Sequence, residues 1–251
     1  MSKKLENKVV IVTGASKGIG AAIAKQMGAE GANVVVNYAS SLDDAEKVVS
    51  EITSAGGTAI AVQGDVSKSA DVKRLFEETR KTYGELDILV NNAGIYWAEP
   101  LEDFKEDSYR KMFDINVLGT LLTAQESLKL FKEKGGSIIN ISSIVSKDAA
   151  PTLSVYGASK AAMSLITTVL SKELAPKNIR VNSVLPGMVL TEGQATMGMV
   201  QGNPFVEVVT GRTALGRLAT PEDVGNMAVF LSTDAASIIT GQEIEVSGGF
   251  K

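Results

Sequence analysis

Tyr156 and Lys160 stand four residues apart in a stretch of helical pattern, so both side chains project from one face. No other tyrosine in the chain is followed by a lysine four residues on. A free phenol, with a pKa of about 10, is a poor acid–base group at neutral pH. A cation about 4 Å away, at an effective dielectric near 20, favours phenolate by up to ~4 kcal/mol, or ~3 pKa units before screening and the lysine's own desolvation. A tyrosine shifted this way gives a proton to a developing alkoxide or takes one from an alcohol. Upstream, Gly136 to Ile141 reads as a strand ending in Ser142-Ser143. Carboxyl ends of parallel strands line the ligand crevice, so a serine there can hydrogen-bond a substrate oxygen without being a nucleophile. Each feature alone also fits an ordinary core, because any tyrosine-bearing helix can hold the pair and serines can simply end a strand.

A second feature binds anions. The run Val9-Val10-Ile11-Val12 leads straight into Thr13-Gly14-Ala15-Ser16-Lys17-Gly18-Ile19-Gly20 and then an alanine-rich helix. Glycines let backbone N–H groups approach a phosphate, and the helix dipole favours negative charge there. The spacing G-x3-G-x-G matches neither G-x-G-x-x-G nor a P-loop. The cofactor candidates of this turn are Gly14, Ser16, Lys17, Gly18, Ile19 and Gly20, joined by Asn37, Tyr38 and Ser40 at the end of the second strand. In dinucleotide folds an acid about twenty residues on holds the ribose hydroxyls. Here Val36-Asn37-Tyr38-Ala39-Ser40-Ser41 contains none before Asp43, and Lys17 supplies a cation for a 2′-phosphate. NADP(H) is therefore expected in preference to NAD(H).

Among 251 residues there is no histidine and no cysteine. That excludes disulfides, Cys/His zinc sites, thiol nucleophiles and imidazole triads, and leaves proton transfer to Asp, Glu, Lys or Tyr. No metal is expected. With 25 Lys+Arg against 29 Asp+Glu the formal charge is −4, which argues against a nucleic-acid-binding face. Met1 to Lys8 is short and polar and meets only four apolar residues, so neither a signal peptide nor a membrane span is expected, and the expected location is cytoplasmic.

The elements that must position these residues alternate. Short, nearly continuous apolar runs occur at Val9–Val12, Asn33–Val36, Ala59–Val62, Ile88–Val90, Ser137–Ile141, Ile179–Val184 and Glu243–Val246. Helical periodicity occupies Ile19–Glu30, Asp43–Ala55, Ala70–Tyr83, Gln125–Lys134, Tyr156–Leu174 and Pro221–Leu231. Apolar strands separated by helices imply a parallel sheet covered on both faces. The expectation is one α/β domain over residues 1–251, a doubly wound seven-stranded Rossmann fold. Thr220-Pro221-Glu222-Asp223 reads as an N-cap, a first-turn proline and first-turn acids. Residues 187–213, rich in glycine and methionine and without a clear period, read as a lid.

TGASKGIG (13–20), NNAG (91–94), Asn116-Val117, Ser143, YGASK (156–160) and PGMVLT (186–191), in this order, resemble the short-chain dehydrogenase/reductase family over essentially the whole chain. Ser143 rather than Ser142 fits the family's serine, thirteen residues before the tyrosine. The resemblance implies Tyr156 as general acid/base, Ser143 holding the substrate oxygen, and Lys160 binding the nicotinamide ribose and lowering the tyrosine pKa. It implies Asn116 holding a water in a proton relay. It places Asp65 and Val66 against adenine and Asn92, Ala93 and Gly94 along the cofactor, with Asn91 bracing the sheet. Pro186, Gly187, Val189 and Thr191 would border the nicotinamide. Read without the family, Asp65 is a turn or cap residue. Ser247 stands where many relatives carry Asp, which bears on a tail contact or a subunit interface.

The chain looks most similar to the 3-oxoacyl-carrier-protein reductase and carbonyl reductase branch. The expected reaction is reduction of a ketone or 3-oxoacyl group with NADPH. The alternatives are a glucose-dehydrogenase-like sugar or polyol dehydrogenase and, from another class, a catalytically silent cofactor sensor. A carrier-bound substrate would want a basic patch, with Arg212 and Arg217 as candidates. Met197, Met199, Val200 and Phe205 suggest an apolar lid wall. The family resemblance also implies a homotetramer, built on long helices beginning near Asp114 and Ser154, and Ala161–Ile166 is apolar beyond what one helix face requires.

Overall fold

Four consecutive β-branched residues form β1 (Val9–Val12), and all four are buried. A strand buried on both faces needs a layer on each side. The computed structural model, which describes residues 3–148, 150–196 and 198–250, supplies both layers. With β2 (Asn33–Tyr38), β3 (Thr58–Gln63), β4 (Ile88–Asn91), β5 (Gly136–Ile141), β6 (Ile179–Pro186) and β7 (Glu243–Val246), β1 forms a seven-stranded sheet. Its order is β3-β2-β1-β4-β5-β6-β7, and every adjacent pair is parallel. This is the doubly wound Rossmann fold expected from the pattern. The order reverses between β1 and β4, and a crevice opens there at the carboxyl ends of the strands.

The helices are α1 (Gly18–Ala29), α2 (Leu42–Ser54), α3 (Ser69–Tyr83), α4 (Glu106–Phe113), α5 (Gly119–Ser127), α6 (Ser154–Leu174), α7 (Glu192–Ala195), α8 (Pro204–Gly211) and α9 (Pro221–Ser232). Alternate residues of β1 serve different layers. Val10 and Val12 pack with Ile23, Met27, Ile52 and Val224 from α1, α2 and α9, whereas Val9 and Ile11 pack with Leu75, Phe76, Ala124 and Leu174 from α3, α5 and α6. The cap expected at α9 is present as a reciprocal pair. Thr220 Oγ1 accepts from the Asp223 N–H at 3.2 Å, and Asp223 Oδ2 accepts from the Thr220 N–H at 2.8 Å.

Two helix boundaries differ from the periodicity. The helix expected at Gln125–Lys134 ends at Ser127, and the helix expected to begin near Asp114 starts earlier, at Glu106. A π-helical turn, Asp114–Leu118, joins α4 to α5. Past Ser127 the Leu130 and Phe131 N–H groups both donate to the Ser127 carbonyl, and the Leu130 carbonyl accepts from the Leu86 N–H. The apolar residues that mimicked a helical period belong to a turn that seats Leu130 in the core beside Phe131. Residues 187–213 contain α7 and α8, the latter capped by Asn203, whose Oδ1 accepts from the Phe205 N–H at 2.9 Å.

Candidate active site

The glycine turn at the end of β1 is fixed from three sides. Gly14 has φ +60°, and a Cβ there would lie 2.8 Å from Ala93 Cα. At Gly20 a Cβ would lie 2.4 Å from the Gly14 carbonyl oxygen. Asn37 Oδ1 accepts from the Gly14 N–H at 3.2 Å, while its Nδ2 donates to the carbonyls of Val62 (3.2 Å) and Gly64 (3.0 Å). Thr13 Oγ1 accepts from the N–H groups of Asn92 and Ala93, each at 3.0 Å. Asn92 Nδ2 returns two bonds, to the carbonyls of Thr13 and Gly14. The helix that follows carries no side-chain cap of its own and no acid in its first turn. Its leading N–H groups lack intrahelical partners and, with the positive end of the dipole, suit an anion.

Across the crevice, β5 delivers Ser142 and Ser143. The Ser142 hydroxyl turns inward, donating to the Lys160 carbonyl at 3.0 Å. Ser143 faces the cleft and hydrogen-bonds Tyr156. Lys160 is buried, with Nζ donating to the Ile141 carbonyl at 2.8 Å and lying 5.9 Å from the Tyr156 ring centre. Burial pushes the Tyr156 phenol up to about 12, against a lowering by the Ser143 hydrogen bond and with a small further rise from Tyr96. Burial also brings Lys160 down to about 8. The expectation that Lys160 lowers the tyrosine pKa therefore fails here. Desolvation of the phenol is the largest cause, and the Lys160 ammonium is already bonded to a backbone carbonyl.

A cleft of about 610 Å³ runs between the turn and this pair. Its wall contains the candidates Gly14, Ser16, Lys17, Gly18, Ile19, Gly20, Asn37 and Ser40 on the turn side. Asp65, Val66, Asn92, Ala93, Gly94, Ser143, Tyr156, Lys160, Pro186, Gly187, Val189 and Thr191 complete the candidates on the wall. Two candidates lie elsewhere. Tyr38 is 9% exposed and packs in the core, because its side chain follows the alternation of β2 away from the crevice. Asn116 is fully buried behind the wall. Its Oδ1 accepts from the Ile95 N–H at 2.9 Å, and its Nδ2 donates to the Ile95 carbonyl (2.9 Å) and Ser159 Oγ (3.0 Å), so both ends of its amide are bonded to protein. The Asn37 amide is likewise engaged in holding the turn.

Asp65 shows the turn role read without the family, its Oδ1 accepting from the Ser67 N–H and hydroxyl. Asn91 braces the sheet as expected, donating to Asn140 Oδ1 at 2.9 Å. Ser247 makes a tail contact, accepting from the Phe250 N–H. Among the described residues the expected apolar lid wall does not line the cleft. Met199 and Val200 line a separate groove against α1, Phe205 is 58% exposed, and Met197 lies outside the described residues. The segment instead gives the cleft Gly193 and Gln194.

Sequence reasoning missed Thr13, Tyr96 and Trp97. Tyr96 lies with its ring centre 5.5 Å from that of Tyr156, and Trp97 lies under Lys111 Nζ at 5.6 Å. Two adjacent aromatics one residue beyond NNAG, in a chain only 5% aromatic, were the available signal. Among the described residues no group of acids forms a metal site, and no helix is long and apolar enough to cross a membrane.

A family model described as enoyl-(acyl carrier protein) reductase matches residues 14–251. The solved short-chain dehydrogenase/reductase of Serratia marcescens superposes with a TM-score of 0.93 at 34% identity, covering 98% of this chain and 99% of that one. This chain is a short-chain dehydrogenase/reductase. An uncharacterized oxidoreductase of Methylorubrum extorquens is 50% identical over 248 residues, 99% of each chain. The 3-oxoacyl-(acyl-carrier-protein) reductase FabG of Staphylococcus epidermidis is 38% identical over 97% of this chain and 98% of its own. The solved angucycline C-6 ketoreductase LanV, with bound NADP, has a TM-score of 0.91 at 34% identity over 99% of this chain and 97% of that one. The short-chain dehydrogenase/reductase is thus an oxidoreductase acting on hydroxyl or carbonyl groups, and its family binds NAD(P). The cleft fits such a group, since its glycines leave no room for a Cβ at Gly14 and Gly20 and its helix N-terminus has no cap of its own.

Proposed function

We propose that this short-chain dehydrogenase/reductase reduces a ketone or 3-oxoacyl substrate with NADPH, with Tyr156 as proton donor. The observation that carries the reading is that Tyr156, Ser143 and Lys160 meet on one stretch of the cleft wall, with Lys160 Nζ 5.9 Å from the Tyr156 ring centre. A phenol pushed up to about 12 is fully protonated at neutral pH, and it faces the cleft beside the Ser143 hydroxyl. Ser143 orients the carbonyl oxygen, and Tyr156 gives that oxygen its proton as charge develops on it. Bound NADPH supplies the hydride for the carbonyl carbon. Lys160, held on the Ile141 carbonyl and charged below pH about 8, supports the phenolate left after donation and binds the nicotinamide ribose. Asn116 is a positioning residue that fixes the Gly94-Ile95 backbone opposite Lys160 rather than a seat for water through its amide.

The NADP preference is supported by Lys17, which is exposed on the turn, and by Ala39, Ser40 and Ser41, which line the same end of the cleft without an acid. NADP in the related ketoreductase agrees. A carrier-protein docking patch has less support. Arg217 is held by Asp223 through two bonds of 2.6 and 3.1 Å, and Arg212 stacks on Phe250 with its guanidinium carbon 4.5 Å from the ring centre. A small free carbonyl compound is the substrate we favour. Exposed Leu118, Leu121, Leu165 and Val169 give α5, α6 and the turn before α5 the apolar faces a homotetramer needs, which sedimentation would show as a fourfold mass.

The test is Tyr156→Phe, assayed on ketones, 3-oxoacyl thioesters and sugars with both cofactors. Turnover is expected to fall by ~100- to 10,000-fold, the worth of a positioned general acid, while NADPH affinity is kept. Unchanged turnover overturns the mechanism. In parallel, Lys17→Ala is expected to weaken NADPH more than NADH, and equal loss for both removes the preference.

A further inference from the structure

The N-terminus of α1 is the anion site of the cleft, yet a carboxylate already touches it. Glu192 Oε2 accepts from the Gly18 N–H at 3.2 Å, reaching across 174 residues of sequence. Gly18 opens α1, whose first turn has no acid and whose N-cap residue, Lys17, makes no side-chain cap bond. Glu192 is therefore the group that answers this helix dipole. Its own position is a boundary. Up to Thr191 the chain is tied to the frame, with the Gly187 N–H donating to the Val246 carbonyl and Val189 bridged to Ala219. From Glu192 it becomes α7, which brings Gly193 and Gln194 into the cleft wall.

We propose that Glu192 is a resident anion that stands in for a dinucleotide phosphate at Gly18, latching α7 against the turn until the cofactor displaces it. This rests on the dinucleotide reading above. A phosphate that takes the Gly18 N–H must remove the carboxylate, because that one donor is already given to Glu192 and two adjacent anions repel. Displacement frees the segment that starts at Glu192, so cofactor entry and the position of Gly193 and Gln194 are linked. The latch is exposed at its carboxylate end, so its strength is that of one solvent-accessible charge-assisted hydrogen bond, enough to tune cofactor affinity and too little to block it.

The experiment measures binding of NADPH, NADH and inorganic pyrophosphate to wild type, Glu192→Gln and Glu192→Ala, using fluorescence of the single tryptophan, Trp97, in the cleft wall. Removing the competing charge is expected to tighten all three ligands by about three- to tenfold, the scale of such a bond. Hydrogen exchange at the Gly18 amide of the cofactor-free protein is expected to speed up in Glu192→Ala. A brace that merely steadies the turn predicts the opposite sign. Weaker or unchanged binding in both variants, with wild type still binding dinucleotide, overturns the latch alone. Wild type that binds neither dinucleotide overturns the cofactor reading beneath it.

Discussion

The two walls of the cleft are built differently. On one side the glycine turn is held by Asn37, Thr13 and Asn92 through side-chain bonds to backbone from three strands. On the other, α7 and α8 are short helices whose side-chain bonds are mostly local, such as Thr191 to Gln194 and Asn203 to Phe205, and Phe205 and Val208 are 58% and 62% exposed. A dinucleotide presents the same phosphates to every turnover, so a rigid wall loses nothing by being fixed. A carbonyl substrate must enter and leave, and the wall beside it is drawn from the less stable part of the molecule. On the function proposed above, the rigid wall would recognise the cofactor and the looser one would admit the substrate.

The largest expected break in this contrast is Gly20→Ala. Its methyl would press to 2.4 Å from both the Gly14 carbonyl oxygen and Asn92 Nδ2, and backbone cannot give way. Cofactor affinity is expected to fall more than ~100-fold with a stability loss of ~2–4 kcal/mol, read by calorimetry and a denaturant curve. Next is Asn37→Leu, which strips the Gly14 N–H and two carbonyls of a buried partner. A loss of about 2–3 kcal/mol is expected, together with weaker binding of both cofactors. A neutral result at either position would show that the turn is no stiffer than the opposite wall.

The Tyr156–Lys160 pair also sets a titration. Burial holds Lys160 down near 8 and Tyr156 up near 12. Between pH about 8 and the ordinary lysine value of 10.5 the unfolded chain binds more protons at Lys160 than the folded one, so this group's contribution makes stability rise with pH across that window. Tyr156 acts in the reverse sense above pH 10, where the unfolded phenol ionises first. Reductive kcat/KM is expected to be level near neutrality and to fall above pH about 8 as Lys160 loses its charge. Lys160→Arg, which does not titrate there, should remove that inflection, and Lys160→Met should flatten the stability rise. With no histidine in the chain, an inflection that survives both changes would point to a different group.

How far the sequence anticipated this follows the same division. The strands were legible because β-branched runs such as Val9–Val12 are buried on both faces, and the cleft-lining positions were legible because the glycine turn and Ser143 follow strand ends while Tyr156 and Lys160 share a face of α6. What misled was local resemblance. Leu128 to Phe131 carries a helical period but serves a turn, and Tyr38 sits beside cofactor candidates in sequence yet follows the strand alternation into the core. Asn116 was expected to hold a water and Asn37 to meet the cofactor, and only the three-dimensional hydrogen bonds show that both amides also hold backbone. The apolar residues of 187–213 gave no direction, since a weakly periodic segment does not say which side faces inward. The Glu192–Gly18 contact joins residues 174 apart and leaves no local trace.

The smallest expected effect tests whether the looser wall is a unit of its own. Asn203 caps α8 by accepting from the Phe205 N–H at 2.9 Å, and its Nδ2 donates to the Gly198 carbonyl at 3.0 Å. Replacing an Asn cap by Ala costs a helix ~1 kcal/mol. If 204–211 opens independently, Asn203→Ala should speed amide exchange there about fivefold, as ~1 kcal/mol converts, and leave the global Tm in place. Val206 and Val209 are the buried residues that could tie α8 into the main transition. Should the Tm fall while exchange in 204–211 keeps pace with the core strands, those two valines make α8 part of the frame, and the contrast between the walls shrinks to α7 and its single bond to Gly18.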